Sequence, residues 1–174
     1  VNDLKDLTHQ SNENSLRQAL IKCAAKEIYF SWMKYKSQYS DAQTKLQNGK
    51  IPDDFKRIMY YSYGDYRDIF FNTDISSPQS IKDISSKIKS ILKEQNSNIQ
   101  RGKGKEDNSQ REAWWSSHKN EIWEAMICGL IEHFAEKNNK EQARIKLNSS
   151  YNYDAIKSNL EKFASRPQFF RWFT

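Results

Sequence analysis

The side chains best suited to chemistry in this chain are basic residues clustered in one segment. Residues 78–111 contain eight Lys and Arg but only four Asp and Glu, so they carry +4 of the chain's net charge of +6. Lys and Arg bind sulfate, phosphate and carboxylate groups through charge-assisted hydrogen bonds and counterion release. The candidate anion-binding residues are Lys89, Lys93, Arg101, Lys103, Lys105 and Arg111. The same charges would also suit a solvated helix face followed by a soluble loop, and both interpretations stay open.

The sequence offers no catalytic constellation. Its three histidines lie far apart. His133 has Glu132 and Glu136 nearby at a spacing that can hold a metal on a helix, but no second matching motif accompanies it. Residues 101–105 (Arg-Gly-Lys-Gly-Lys) lack the preceding strand and the Gly-Lys-Ser/Thr ending of a phosphate-binding loop. We therefore expect a binding protein with no metal and no cofactor, and not an enzyme.

The most apolar stretch, residues 122–131, contains one charged residue, Glu124. At 3.6 residues per turn its apolar side chains cover nearly the whole circumference, which is typical of a buried helix. This pattern predicts one long central helix over residues 110–136. Its predicted core residues are Trp115, Ile122, Trp123, Met126, Ile127, Leu130 and Phe134.

The remaining patterns predict an all-α bundle around that central helix. Five Gly, three Pro and few alternating Val, Thr and Ile runs leave little signal for strands. Apolar stripes predict further helices near residues 14–40, 52–70, 78–97 and 153–165. Residues 1–12 are polar and are expected to be poorly ordered, and residues 97–109 are expected to form a flexible basic loop. No apolar run approaches the roughly 20 residues that span a bilayer, so we expect no membrane insertion.

Two positions in the predicted helices call for particular neighbours. Glu27 falls in an apolar stripe that also includes Phe30 and Met33. Because an unpaired buried carboxylate is costly, we predict an ion pair between Glu27 and Arg67. Gly64 costs roughly 1 kcal/mol relative to Ala within a helix, so we expect a neighbouring group to pack closely against it.

Cys23 and Cys128 are the only cysteines. They could be two buried free thiols of a cytosolic helical protein. They could equally form a disulfide between the first long helix and the central helix. Closing a loop on the order of 100 residues would then stabilise the chain by about 4–5 kcal/mol in the chain-entropy estimate.

Four segments resemble signature motifs of Duffy-binding-like domains. Residues 22–27 (Lys-Cys-Ala-Ala-Lys-Glu) are similar to a Cys-Ala-Ala-x-Glu motif, and residues 61–69 (Tyr-Ser-Tyr-Gly-Asp-Tyr-Arg-Asp-Ile) to a Phe/Tyr-Gly-Asp-Tyr-Arg-Asp helix. Trp114-Trp115 with residues 122–130 resembles the Trp-Trp and Trp-x-Ala-Met-x-Cys-Gly-Leu helix. Residues 166–173 (Arg-Pro-Gln-Phe-Phe-Arg-Trp-Phe) resemble a Pro-Gln-Phe-x-Arg-Trp segment. The motifs follow the family's order and cover most of the chain.

The resemblance implies that residues 1–174 are the middle helical subdomain, subdomain 2, of a larger Duffy-binding-like domain. The cysteine-rich first and third subdomains have no counterpart here. The sequences of these motifs are most similar to those of the erythrocyte membrane protein 1 adhesins of the malaria parasite, and within them to the placental, chondroitin sulfate-binding type. The resemblance thus implies adhesion to a host cell-surface receptor, a sulfated glycosaminoglycan or proteoglycan, from the surface of an infected erythrocyte.

The resemblance leaves several points open. The chain could instead be a scaffold lobe that packs on neighbouring subdomains of the same polypeptide, with the receptor site elsewhere, or it could bind a host protein. A nucleic-acid module has little support, because no recognised nucleic-acid-binding motif is present. No binding motif of the family maps onto the six basic candidates. Many relatives have a cysteine where this chain has Phe70, so the resemblance favours a Cys23–Cys128 disulfide, with pairing to missing subdomains or free thiols as alternatives.

Overall fold

The computed structural model describes residues 2–75, 79–94 and 105–173, and all regular structure within them is helical. The helices are α1 (Asn2–Lys5), α2 (Glu13–Gln38), α3 (Ala42–Gln47), α4 (Asp53–Phe71), α5 (Gln79–Glu94), α6 (Lys105–Ile131), α7 (Lys137–Tyr151), α8 (Tyr153–Ala164) and α9 (Gln168–Trp172). This confirms the predicted all-α fold. None of these helices is long and apolar enough to cross a bilayer.

Helix α6 is the centre of the bundle and packs chiefly against α2. All six core residues predicted on it are buried, and so is Phe134 just beyond its end. The two backbones approach closely at Gly129, where a Cβ atom would lie 2.4 Å from the carbonyl oxygen of Ala25. Because a side chain at position 129 would collide with backbone, this helix crossing requires glycine.

The bounds of α6 differ from the prediction at both ends. The helix begins at Lys105, so residues 105–109 belong to α6 and not to the predicted flexible loop. Residues 106 and 107 are Glu and Asp, which are favoured in a first helical turn. A search for apolar periodicity does not detect this signal for the start of a helix. Residues 97–104 of the predicted loop lie outside the described residues. The helix ends at Ile131, where the bond from the His133 amide to the Leu130 carbonyl, 3.3 Å, tightens the chain out of α-geometry.

The N-terminal segment is more ordered than its polarity suggested. Leu4 and Leu7 are buried, and α1 packs against α2 and α5. Lys26 of α2 donates a hydrogen bond to Asp3 at 2.8 Å, and this bond lowers the pKa of the Asp3 carboxyl. Two buried leucines, this ion pair and a hydrogen bond from Lys87 of α5 to the Lys5 carbonyl at 2.7 Å hold residues 2–7 against the bundle.

Helix α2 buries most of its predicted apolar positions, Leu16, Leu20, Cys23 and Ala24, and differs from the prediction only in its last turns. Phe30 and Met33 are exposed, whereas Trp32 and Tyr35 are buried. Trp32 and Tyr35 pack on Phe55 of α4, with ring centroids 4.8 and 5.1 Å apart. The larger aromatic surface of Trp32 and Tyr35 thus decides which side of the last turns faces the core.

Helix α7 was absent from the predictions, as were the short helices α3 and α9. Among its residues only Ala143 and Leu147 are buried, and Ile145 is exposed. Two apolar anchors are too few to produce a recognisable stripe over fifteen residues.

The predicted ion pair between Glu27 and Arg67 is not formed. Glu27 accepts hydrogen bonds from the hydroxyl groups of Ser62 and Tyr66, each at 2.7 Å. Burial and the nearby carboxylate both raise the pKa of Tyr66, so its phenol stays protonated and can donate. The Arg67 guanidinium instead lies over the Phe71 ring, 4.9 Å from its centroid. Hydroxyl groups from α4 satisfy the carboxylate because they face α2, whereas Arg67 points toward the end of α4.

The arginine that is buried beside α4 is Arg171 of α9. It donates from Nη2 to Asp65 at 3.1 Å and also to Asp68. Its guanidinium lies against Gly64, where a Cβ atom would come within 2.9 Å of Arg171 Nε. The close neighbour expected at Gly64 is therefore the Arg171 side chain.

The two cysteines are both free. Cys23 is buried, and its Sγ atom lies 3.8 Å from Asp3 Oδ2 on the side of α2 that faces α1. Cys128 is half-buried on α6. The predicted disulfide is thus not formed, because the Cys23 thiol is directed toward α1.

Candidate functional site

A cleft lies where the C-terminal end of α4, one side of α5 and the N-terminal part of α6 meet. Its volume is about 540 Å³. We call it the basic cleft, because two lysines and an arginine line it. Its other polar lining residues are Asn72, Asp74, Ser85, Ser86 and Asn108, and Phe71 and Ile81 supply apolar surface.

Arg111 forms the inner wall of the basic cleft. It is only 3% exposed, which overturns its predicted role as a surface contact for sulfate. Its Nη1 donates to the carbonyl oxygen of Phe70, and its Nη2 donates to that of Ser85 at 3.2 Å. Position 111 lies in the second turn of α6 and faces the joint between α4 and α5. The guanidinium therefore ties three helices together and fixes the shape of the cleft.

The end of α4 brings Asn72 into the cleft. Asn72 has a φ of 61°, the left-handed conformation that asparagine tolerates better than most residues at a helix C-terminus. The amide of Thr73 then donates to the Asp68 carbonyl at 2.9 Å, which closes the helix. This cap turns the chain toward α5 and leaves the Asn72 side chain on the lining of the cleft.

Three of the four lysines on α5 form a stripe, and two of them, Lys82 and Lys89, line the cleft. Lys82, Lys89 and Lys93 are spaced by seven and then four residues, so they share one side of the helix, with Ser86 between the first two. They extend over about 16 Å along the axis at 1.5 Å per residue. Lys82 and Lys93 are exposed and Lys89 is half-buried. We call these three residues the lysine stripe.

The six predicted anion-binding residues thus lie in different environments. Lys89 and Lys93 lie in the lysine stripe, and Arg111 is buried behind it. Lys105 is the first residue of α6, whereas Arg101 and Lys103 lie outside the described residues. The six candidates did not include Lys82, although its spacing of seven residues from Lys89 was a visible signal, and no local pattern singled out Asn72 and Asn108 on the cleft lining.

His133 does not build a metal site. In the part of the chain that the structure describes, no group of three or more His, Cys, Asp or Glu residues could hold a metal ion. His133 Nε2 lies 2.8 Å from the Tyr29 carbonyl, and its ring stacks on that of Tyr29 at 4.2 Å. Burial lowers the pKa of His133, in keeping with a neutral ring. Glu132 instead forms an ion pair with Lys140, with Oε2 and Nζ 2.7 Å apart.

Comparisons with known proteins give one consistent relationship. The family model described as "Duffy binding domain" matches residues 1–171. The chain is 28% identical over 109 residues to the Duffy receptor gamma form of Plasmodium knowlesi, and 28% identical over 90 residues to the Duffy receptor of Plasmodium vivax (strain Salvador I). These alignments cover 62% and 52% of the chain but only 9% and 8% of the relatives, so the chain corresponds to a small part of each. No solved structure gives a significant match.

Proposed function

Because the chain belongs to the Duffy binding domain family, we propose that it is an adhesion subdomain of a malaria-parasite protein that binds a host-cell receptor outside the parasite. The Duffy binding domain is a receptor-binding domain, so the chain is not an enzyme. The match over residues 1–171 is the observation that carries this proposal. The names of the two relatives, both Duffy receptors, support it.

The ligand that we propose is a sulfated glycosaminoglycan, with chondroitin sulfate as the first choice. The lysine stripe supports this choice, because three ammonium groups along one helix side can contact successive anionic groups of an extended polyanion. The motif sequences resemble those of the erythrocyte membrane protein 1 adhesins and of their placental type. This resemblance supports a parent protein on the surface of the infected erythrocyte.

A second candidate function is that of a scaffold lobe whose receptor site lies on other subdomains. The outer side of α9 favours it. The aromatic residues exposed there are Phe169, Phe170, Trp172 and Phe173. A contiguous apolar surface of this kind is typical of a protein–protein contact, and neighbouring subdomains of the same polypeptide could cover it.

Binding of the chain to chondroitin sulfate across a salt series tests the first proposal. We expect binding that depends on sulfation and persists at about 0.15 M salt, where exposed charges are screened beyond about 8 Å. The variant Lys82→Gln/Lys89→Gln/Lys93→Gln should lose it. Desulfated chondroitin serves as the ligand control.

A matched variant removes the same charge elsewhere. Lys22→Gln/Lys137→Gln/Lys162→Gln changes three exposed lysines on α2, α7 and α8. It should bind as the parent chain does. Equal losses in the two variants, or binding that ignores sulfation, would mean general attraction between a basic protein and a polyanion, and would favour the scaffold function.

A further inference from the structure

The basic cleft has the features of a specific subsite as well as a basic surface. We infer that it holds one sulfated sugar residue, with Lys82 and Lys89 binding the sulfate and the amides of Asn72 and Asn108 binding sugar hydroxyl groups. This inference rests on the proposed function, because it names the part of the glycan that the site reads.

The first argument is that the cleft is preorganised. Arg111 bridges the carbonyl oxygens of Phe70 and Ser85, so the α4 and α5 walls are held at a fixed separation. Phe71, on the lining, is held from two sides by the Arg67 guanidinium at 4.9 Å and the Phe70 ring at 5.3 Å. A site with fixed walls loses little conformational entropy on binding, which favours a specific ligand.

The second argument is the size and polarity of the cleft. About 540 Å³ falls within the roughly 300–1,000 Å³ of small-molecule sites, large enough for a sugar residue with its sulfate. Phe71 and Ile81 add apolar surface to the otherwise polar lining. Sugar rings have apolar C–H faces and polar hydroxyl edges, so this lining complements both kinds of surface.

The third argument concerns charge. The carboxylate of Asp74 shares the cleft with the lysines and accepts a hydrogen bond from Gln168 at 2.8 Å. A carboxylate in the lining disfavours densely charged ligands such as polyphosphates, because like charges repel at short distance. A sulfate ester carries a single negative charge and has hydroxyl neighbours that can donate to an acceptor. The mixture of two ammonium groups, two amides and one carboxylate therefore suits a sulfated sugar better than a bare polyanion.

Asn108→Ala separates a subsite from general attraction, because it changes no charge. Asn108 is exposed in the first turns of α6, where Ala is a better helix former, so the fold should be retained. We expect its affinity for a chondroitin sulfate hexasaccharide at 0.15 M salt to fall about fivefold, as for one lost hydrogen bond. Asn138→Ala, at an exposed position in the first turn of α7, is the matched control and should bind as the parent chain does.

Lys82→Gln and Lys89→Gln report on the sulfate itself. Each should lower affinity for the sulfated hexasaccharide about tenfold, as for one charge-assisted hydrogen bond. Neither should alter the weaker binding of the chemically desulfated hexasaccharide. Isothermal titration calorimetry measures all of these affinities on one scale.

The possible failures are distinguishable. If the parent chain does not bind the sulfated hexasaccharide, the proposed glycan function fails and the subsite with it. If the parent chain binds it but Asn108→Ala binds equally well, the subsite is overturned while the proposed function stands. Equal loss in Asn108→Ala and Asn138→Ala would likewise overturn the subsite.

Discussion

Helices α5 and α9 present opposite kinds of surface. α5 buries Ile84, Ile88 and Ile91 and turns the lysine stripe outward, as expected for an amphipathic helix at the edge of a bundle. α9 is inverted, since it buries Gln168 and Arg171. Its exposed residues are the aromatic ones, Phe169, Phe170 and Trp172, followed by Phe173.

The difference between the two helices shows what each surface is suited to bind. The outward side of α5 is already well solvated, so a ligand there must replace water with its own charges. The outward side of α9 is apolar and gains free energy when another surface covers it. A polar ligand therefore fits α5, and a packed protein partner fits α9.

The inversion of α9 follows from the side chains that it meets. Gln168 donates to Asp74 at 2.8 Å and accepts from the Ile75 amide at 2.7 Å. Arg171 meets the carboxylates of Asp65 and Asp68. Acidic residues of α4 and of the chain after it thus attract the polar side of α9 inward.

Contacts of this kind also show what the four motifs that resemble those of Duffy-binding-like domains do in the fold. Glu27 of the first motif accepts a hydrogen bond from Tyr66 of the second. Gly129 of the third lies against the α2 backbone at the first, and Arg171 of the fourth pairs with Asp68 of the second. The motif residues therefore supply contacts that hold the bundle together. The lysine stripe lies outside all four motifs.

The largest expected effect concerns the buried side of α9. Arg171→Ala would leave the buried Asp68 without this cation, and we expect it to lower the free energy of unfolding by about 3–5 kcal/mol. Urea denaturation measures the loss. Arg67→Ala is the matched control, because it removes a contact with the Phe71 ring and, among the described residues, no ion pair, and it should cost about 0.5–1 kcal/mol. Similar losses in the two variants would mean that Arg171 does not anchor α9.

A smaller effect is expected from the glycine beneath Arg171. Gly64→Ala places a Cβ atom 2.9 Å from Arg171 Nε, and overpacking of this kind costs about 1–3 kcal/mol. Helix propensity offsets about 1 kcal/mol of that cost. Combining Gly64→Ala with Arg171→Ala should remove the clash, so the double variant should be more stable than the sum of the single losses predicts. Simple additivity in the double-mutant cycle would contradict the contact.

His133 provides a measure of stability away from both surfaces. Burial lowers its pKa in the folded state, so the unfolded chain takes up the proton more readily. Stability should therefore fall as the pH drops below the unfolded value near 6.5. Lys36, whose Nζ lies 3.4 Å from His133 Nδ1, adds to this effect. His133→Gln should show a smaller loss between pH 7.5 and pH 5 in urea denaturation, and an unchanged loss would exclude His133 as its source.

The smallest effect on stability is expected on the outer side of α9. Trp172→Ser should change the free energy of unfolding by about 1 kcal/mol or less, because the residue is 52% exposed. It should also reduce self-association of the chain at high concentration, as measured by sedimentation. On α5, Ile88→Ala should cost about 2–5 kcal/mol, since that side chain is fully buried. A large loss from Trp172→Ser would mean that the aromatic side contributes to the core.

Much of the architecture could be predicted from local patterns. The apolar periodicity of α4, α5 and α6 identified these helices and the α6 core, because a helix that packs on one or more sides repeats its apolar residues every three to four positions. Gly64 signalled a close neighbour for a similar reason, since glycine within a helix is costly unless something occupies the space of its missing side chain. Helix α7 escaped because two apolar anchors leave no such repeat.

The sequence by itself determined the helical class, the buried centre and the presence of a basic segment. Only the tertiary structure decided which charged side chains are buried and which remain exposed. Arg67, Arg111 and Arg171 are the same residue type, yet one covers an aromatic ring, one bridges two carbonyl oxygens and one meets two carboxylates. Local sequence cannot distinguish them, because the free energy of a buried charge depends on partners that are distant in the chain and near only after folding.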